Sequence, residues 1–171
     1  MSAYEALAGV YDRLTEDVGY ERRADYLEKL FKKSRLPVRM VLDLACGTGS
    51  MTEILMGRGY EMIAADASPD MLSAAREKTE GKEGIPPVFL NQSMPELDLY
   101  GTVDAAVCCL DSLNYLTSPR EVQRTFQRLR LFIAPGGILI FDVLSPSGLQ
   151  ELDGQVFLDE REDVYCVWRA E

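Results

Sequence analysis

The 171-residue sequence contains no histidine. That removes the side chain most often used as a general base near neutral pH, and with it the commonest metal ligand. The four cysteines, Cys46, Cys108, Cys109 and Cys166, form no C-x-x-C pair. Their spacing supports neither a zinc site nor a redox dithiol, so no metal is expected and the thiols are read as buried in a reducing compartment. No apolar run approaches the roughly 18 residues that cross a bilayer, and the polar, helix-patterned N-terminus lacks the order of a signal peptide. The expectation is a cytoplasmic protein with no membrane partner. Cations are scarce: 18 Lys and Arg stand against 28 Asp and Glu, for a net charge of −10. A surface of that sign repels a phosphate backbone and argues against a broad nucleic-acid-binding face. There are no internal repeats and no low-complexity linker.

Apolar residues make up 47% of the chain, enough for the core of one domain. The first 35 or so residues are helical in pattern, with Tyr26, Leu27, Leu30 and Phe31 on one face, and Pro37 closes that region. Strands and helices then alternate. Met40–Leu44 reads as a buried strand, followed by a helix from Ser50 whose capping box is Ser50 with Glu53. Met62–Ala65 is the second strand. Ser68-Pro69-Asp70 marks a helix start, and so does Ser118-Pro119-Arg120-Glu121. Pro87–Leu90 is the third strand, and Val103–Leu110, almost wholly apolar, is the fourth. Val122, Phe126, Leu129 and Ile133 form the buried face of the next helix. Pro135-Gly136-Gly137 turns into a fifth strand, Ile138–Val143.

Apolar strands that do not alternate imply a parallel sheet covered on both faces. Right-handed crossovers then predict an α/β fold, a doubly wound, Rossmann-like, mostly parallel sheet. Residues 1–36 form an N-terminal helical cover, 37–145 the Rossmann-like core, and 146–171 the start of an antiparallel β excursion, all within one domain. Val156–Leu158 and Val164–Trp168 read as its strands, joined by the acidic turn Asp159–Asp163. An exposed edge carrying Trp168 is a poor place for a domain to stop. Residues beyond 171 are therefore expected in the natural protein, and that edge is a place where a second copy could pair as a homodimer.

Ligands of such sheets bind beyond the carboxyl ends of the strands. Five segments lie there: Asp43–Gly49, Asp66–Ser68, Asn91–Met94, Leu110–Tyr115 and Val143–Pro146. Gly47 and Gly49 shape a tight strand-to-helix turn that lets a ligand approach the backbone. Asp66, at the end of the second strand, can accept both hydroxyls of a ribose. A dinucleotide site wants G-x-G-x-x-G, but the third position here is Thr52. Asp43, before the turn, would repel a pyrophosphate and favour a cofactor carrying an ammonium and a sulfonium.

Asp43-Leu44-Ala45-Cys46-Gly47-Thr48-Gly49 resembles the first motif of class I S-adenosylmethionine-dependent methyltransferases, written D/E-x-G-x-G-x-G, with Ala45 at the first glycine. The resemblance continues through Ala65–Leu72 and Pro135-Gly136-Gly137. Val10–Leu14 and Leu110–Leu116 further resemble a bacterial group of small-molecule-type methyltransferases of largely unassigned substrate. That group returns from its β excursion to complete the sheet, so its sixth and seventh strands are missing here. The resemblance implies S-adenosyl-L-methionine as cofactor and S-adenosyl-L-homocysteine as product. It implies that Asp43, Ala45, Gly47 and Gly49 approach the methionine part, that Asp66 and Ala67 bind near the ribose, and that Met71 packs near the adenine. Ser93 and Met94 would hold the adenine edge, although the group usually has Asp where Ser93 stands. Leu110 and Asp111 would line the methionine end, and Tyr11 of the helical cover would touch the cofactor. Tyr4 and Tyr20 are read as packing residues.

Methyl transfer from a sulfonium is an in-line displacement that mainly requires positioning and exclusion of water. No catalytic base can be named, and the Asn/Asp-Pro-Pro-Tyr motif of some amine methylators is absent. Asn114 and Tyr115, with Asp111 and Tyr11, are the candidates for the acceptor side, and the acceptor is read as a small molecule. A cofactor-holding or assembly module without turnover, and an NAD-dependent oxidoreductase, remain alternatives from the residues alone.

Overall fold

The computed structural model describes residues 11–160 and 165–169. Tyr4, Val10 and Arg161–Val164, about which the sequence makes specific predictions, lie outside the described residues. A short helix α1 (Tyr11–Leu14) and a longer α2 (Tyr20–Phe31) precede β1 (Met40–Leu44). There follow α3 (Ser50–Gly57), β2 (Glu61–Asp66), α4 (Pro69–Thr79), β3 (Val88–Asn91), β4 (Val103–Cys108), α5 (Pro119–Phe132) and β5 (Ile133–Phe141). A short α6 (Pro146–Leu152) leads to β6 (Val156–Glu160) and β7 (Tyr165–Arg169).

The first five strands form one sheet in the order β3-β2-β1-β4-β5, and every pair in it is parallel. β6 and β7 pair antiparallel in a separate two-stranded sheet. This is the predicted doubly wound, mostly parallel architecture followed by a small antiparallel sheet. The strand order reverses between β1 and β4, since β1 leads outward to β2 and the chain later returns to β1's other side. Val41, Leu42, Leu44, Ala105, Ala106 and Val107 in those two strands are fully buried. One core layer joins Val41, Ala105 and Val107 to Ala24, Leu27 and Phe31 of α2 and to Met51 and Leu55 of α3. The other joins Leu42, Leu44 and Ala106 to Leu97, Leu113 and Leu129. No helix among the described residues is long and apolar enough to cross a membrane.

Several local predictions shift. Tyr26 is exposed, and Ala24 joins Leu27 and Phe31 on the buried face of α2. In α5 the buried residues are Thr125 and Leu129, while Phe126 reaches the outer side and packs edge-on against Phe141 of β5. The fifth strand is recorded from Ile133 and ends at Phe141, with a register shift opposite Val103 and Ala105. The fourth strand ends at Cys108 because Leu110 and Asp111 take positive φ angles of 59° and 49°. Helix α6 was not foreseen, yet Ser145-Pro146 repeats the signature of Ser68-Pro69, and the Ser145 hydroxyl accepts from the Gly148 N–H at 3.1 Å. Ser118 occupies its predicted cap position without a side-chain hydrogen bond.

Candidate functional site

The turn after β1 reverses direction through three left-handed residues, Ala45, Gly47 and Gly49 (φ 60°, 54° and 77°). Gly49, not Ser50, caps α3. The conformation excludes the predicted capping box and frees the Ser50 hydroxyl for other partners. A Cβ on Gly49 would lie 2.8 Å from the Ala75 Cβ of α4. This glycine thus lets α4 pack directly on the turn, and Gly49 does not line the cavity described below. Ala45 has no glycine's freedom, so its left-handed backbone is strained.

Asp66 locks the turn to β2. Its Oδ2 accepts from the Gly47 N–H at 2.9 Å, and its Oδ1 accepts from the Ser68 N–H at 2.8 Å. The carboxylate is therefore fixed in orientation, with further acceptor capacity on each oxygen. The Ser68 hydroxyl in turn accepts from the Met71 N–H and caps α4.

Asp43 lies beneath the turn, 2% exposed. It accepts a 2.6 Å hydrogen bond from the hydroxyl of Thr52, which is itself fully buried. Burial pushes the Asp43 carboxyl up to about 6, opposed by the Thr52 hydrogen bond and reinforced by the nearby Asp66 charge. The position where a dinucleotide motif needs glycine is thus used to hold a buried acid.

A cavity of about 420 Å³ opens over the carboxyl ends of β1 to β4, at the reversal of strand order. Its size lies in the range of small-molecule and cofactor sites. Ala45 and Gly47 line it from the first turn, and Asp66, Ala67, Ser68 and Met71 from the second. Gln92, Ser93, Met94 and Pro95 contribute from the third. Leu110, Ser112, Tyr115, Leu116 and Glu121 line the fourth side, and Tyr11 lines the cavity from the N-terminal segment. Among the predicted residues, Tyr11, Ala45, Gly47, Asp66, Ala67, Met71, Ser93, Met94, Leu110 and Tyr115 line the cavity; Asp43, Gly49, Asp111 and Asn114 do not.

Ser68, Gln92 and Ser112 belong to the strand-end segments singled out above but were not named individually. Glu121 was read only as part of a helix cap, and nothing local marks it as a cavity residue. Among the described residues the lining contains two carboxylates, Asp66 and Glu121, and no Lys or Arg. The Ser93 hydroxyl donates to Glu96 Oε2 at 3.2 Å, leaving its oxygen able to accept.

The rim after β4 is braced by the segment that follows β5. Asp142 Oδ1 accepts from the Asp111 N–H at 2.9 Å, and Asn114 Oδ1 accepts from the Leu144 N–H at 3.0 Å. Burial, then the Asp142 charge, raises the Asp111 pKa. Arg23 of α2 pairs with Asp142 at 3.2 Å. Asp111 and Asn114 thus support the turn that carries Leu110.

The N-terminal segment crosses the other side of the cavity. Asp12 Oδ1 accepts from the Thr48 hydroxyl at 2.5 Å and from the Ser50 hydroxyl at 3.3 Å. Lys78 of α4 pairs with Asp12 at 2.7 Å and donates to the Ser50 and Thr48 hydroxyls at 2.7 and 3.1 Å. Burial alone would raise the Asp12 pKa; hydrogen bonds from Lys78, Thr48 and Ser50 and the Lys78 charge hold it below the usual value. Asp12 therefore stands at the first turn of α3, where a dinucleotide's pyrophosphate would otherwise rest. Burial, then the neighbouring Tyr20, Tyr115 and acids, push the Tyr11 phenol up to about 12. It stays protonated at neutral pH and lines the cavity as an aromatic wall.

The chain is similar in sequence and fold to known proteins. The family model described as a methyltransferase domain matches residues 41–137, more than half of the chain. The provisionally named methyltransferase YqeM of Bacillus subtilis (strain 168) is 37% identical over 170 residues, covering 98% of this chain and 66% of its own length. The chain thus spans about two thirds of the length of that relative. An S-adenosylmethionine-dependent methyltransferase structure from Clostridium acetobutylicum ATCC 824 superposes with a TM-score of 0.82 at 31% identity, covering 98% of this chain and 69% of that one. CalS10, an amino pentose methyltransferase from Micromonospora echinaspora solved with S-adenosylmethionine bound, gives a TM-score of 0.75 at 25% identity, covering 88% of this chain and 62% of that one. With its first-motif turn, its parallel sheet and these matches in agreement, the chain belongs to the methyltransferase-domain family.

Proposed function

We propose that this protein transfers a methyl group from S-adenosyl-L-methionine to a small-molecule acceptor in the cytoplasm. The observation that carries the reading is the cavity at the β1/β4 reversal, where Asp66 is held by two backbone N–H groups and no cationic side chain among the described residues lines the walls. Such a lining suits a ligand with a positive centre and a ribose, and it opposes a pyrophosphate. Asp12 at the start of α3 opposes a pyrophosphate further. The residues present therefore fit S-adenosylmethionine better than NAD.

In this reading Asp66 accepts from the ribose hydroxyls, with Ala67 beside it. Met71 and Met94 pack on the adenine, and the Ser93 oxygen accepts from its amino group. Ala45, Gly47 and Leu110 border the methionine portion. Asp43 acts from below the turn as a fixed acid, while Gly49 and Asp111 shape the turns that present these groups. When bound, the cofactor supplies a methyl already activated by the sulfonium. The chain's own task is to bind, orient and exclude water. Tyr11 and Tyr115 wall the cavity, and Asn114 fixes the rim on the acceptor side. The small-molecule acceptor is supported by CalS10, a methyltransferase of an amino pentose. A homodimer through the edge at Trp168 completes the proposal, and sedimentation velocity tests it.

Calorimetry with S-adenosylmethionine, S-adenosylhomocysteine and NAD tests the cofactor. Binding of NAD alone would overturn it. Turnover of labelled methyl donor with a panel of small amines and hydroxyl compounds then separates an enzyme from a module that only holds the cofactor.

A further inference from the structure

The Asp12–Lys78 pair differs from an ordinary surface ion pair. The Lys78 side chain is only 16% exposed and spends its donors on three partners, Asp12, Ser50 and Thr48. Those partners come from the N-terminal segment and from the turn under the cavity, and Lys78 itself comes from α4. Asp12 takes up three donors in return. The described part of helix α1 is Tyr11–Leu14, and Leu14 is the one buried side chain in it. A segment with so little buried apolar surface has little stability of its own. Its placement therefore depends on tertiary anchors, and Tyr11, next to Asp12, lines the cavity.

We propose that Lys78 and Asp12 form a clasp that holds Tyr11 over the cofactor cavity and so governs how tightly the cofactor is retained. Both are positioning residues: neither lines the cavity, and each acts through Tyr11. The clasp joins two walls of the site, so opening it uncovers the cavity without disturbing the sheet. The inference rests on the cofactor reading above for its effect on binding, but the clasp itself is a property of the free protein.

The test uses Asp12→Asn, Lys78→Met and the conservative Lys78→Arg in the full chain. Amide hydrogen exchange over residues 11–18 and S-adenosylhomocysteine affinity are measured together with the melting temperature. Asp12→Asn and Lys78→Met are expected to speed exchange in that segment and to weaken the ligand about fivefold, with little change in the melting temperature; Lys78→Arg keeps most of the affinity. Tyr11→Ala should weaken the ligand similarly, and adding Asp12→Asn to it should cost nothing more, because both act through one contact. Unchanged exchange in Asp12→Asn and Lys78→Met overturns the clasp. Faster exchange with unchanged affinity, or losses that add to that of Tyr11→Ala, overturns its role in retention. Should the unaltered protein fail to bind S-adenosylhomocysteine, the cofactor reading falls and the exchange measurement still decides the clasp.

Discussion

Thr52 donates its hydroxyl to Asp43 Oδ2 at 2.6 Å, and both side chains are buried beneath the turn that opens the site. The pair links the strand that ends in the turn to the helix that leaves it. It also explains why the turn tolerates a threonine where a dinucleotide-binding motif places glycine. Asp43 is held there against its solvation preference, and its pKa is raised to about 6 from 3.8.

A proton is thus retained on Asp43 in the folded chain at pH values where the unfolded chain has lost it. This group's contribution makes stability fall as pH rises from about 4 to about 6, and the full penalty is present above that window. Asp43→Asn should remove this slope and raise stability at pH 8, on the order of 2 kcal/mol. Cofactor affinity should drop, because the fixed acid below the turn is lost. Thr52→Val should do the reverse and destabilise by about 2 kcal/mol at pH 8, because the acid loses the hydroxyl donor and keeps only the Thr52 backbone. Urea unfolding at pH 4, 6 and 8 checks the stabilities, and calorimetry with S-adenosylhomocysteine checks the affinity; parallel pH dependences for Asp43→Asn and the unaltered protein would refute the titration.

Ala45 sits at φ 60° where the family motif has glycine. Ala45→Gly relieves the left-handed strain but increases the freedom of the unfolded chain. The net expectation is a stabilisation of up to about 1 kcal/mol, read as a higher urea midpoint with an unchanged slope. A lower midpoint would show that the alanine methyl makes a contact worth more than the strain.

Gly49 is limited by space as well as by its φ of 77°. A methyl there would meet the Ala75 Cβ at 2.8 Å and the Ala75 Cα at 3.2 Å. Gly49→Ala should therefore destabilise by roughly 2 kcal/mol. Ala75→Gly added to it should recover only part of the loss, because the backbone atom and the left-handed strain remain.

Asp66→Ala removes the acceptor of the Gly47 and Ser68 N–H groups. Loss of two charge-assisted hydrogen bonds should cost about 2 kcal/mol of stability in this half-buried position. Affinity for S-adenosylhomocysteine should fall at least about a hundredfold. Calorimetry showing unchanged affinity would remove Asp66 from the binding site.

Thr125 of α5 is fully buried, and its hydroxyl has no hydrogen-bond partner. Thr125→Val keeps the shape and removes the unmet polar group, and it should stabilise by about 1 kcal/mol. Because Thr125 is not a lining residue, cofactor affinity should be unchanged. A drop in melting temperature would mean the hydroxyl is satisfied in solution.

Much of this protein is legible in its amino-acid order. The alternation of apolar strands with capped helices specifies the parallel sheet, because an apolar run without polar alternation must be covered on both faces. Strand ends then locate the cavity, since in a parallel sheet the tight turns and helix starts gather on one edge. Ser68-Pro69 shows its role as a helix start within a few residues of sequence, and Ser145-Pro146 carries the same signature although the helix there was not expected. Tertiary structure decided the rest. It turned Asp43 inward to Thr52, gave the cap of α3 to Gly49, and brought Glu121 of α5 to the cavity. It also carried Asp12 across to Thr48 and Lys78. None of these follows from periodicity or propensity, because each depends on where a side chain lands when distant segments pack, and the energy that fixes it is burial and hydrogen bonding across that packing.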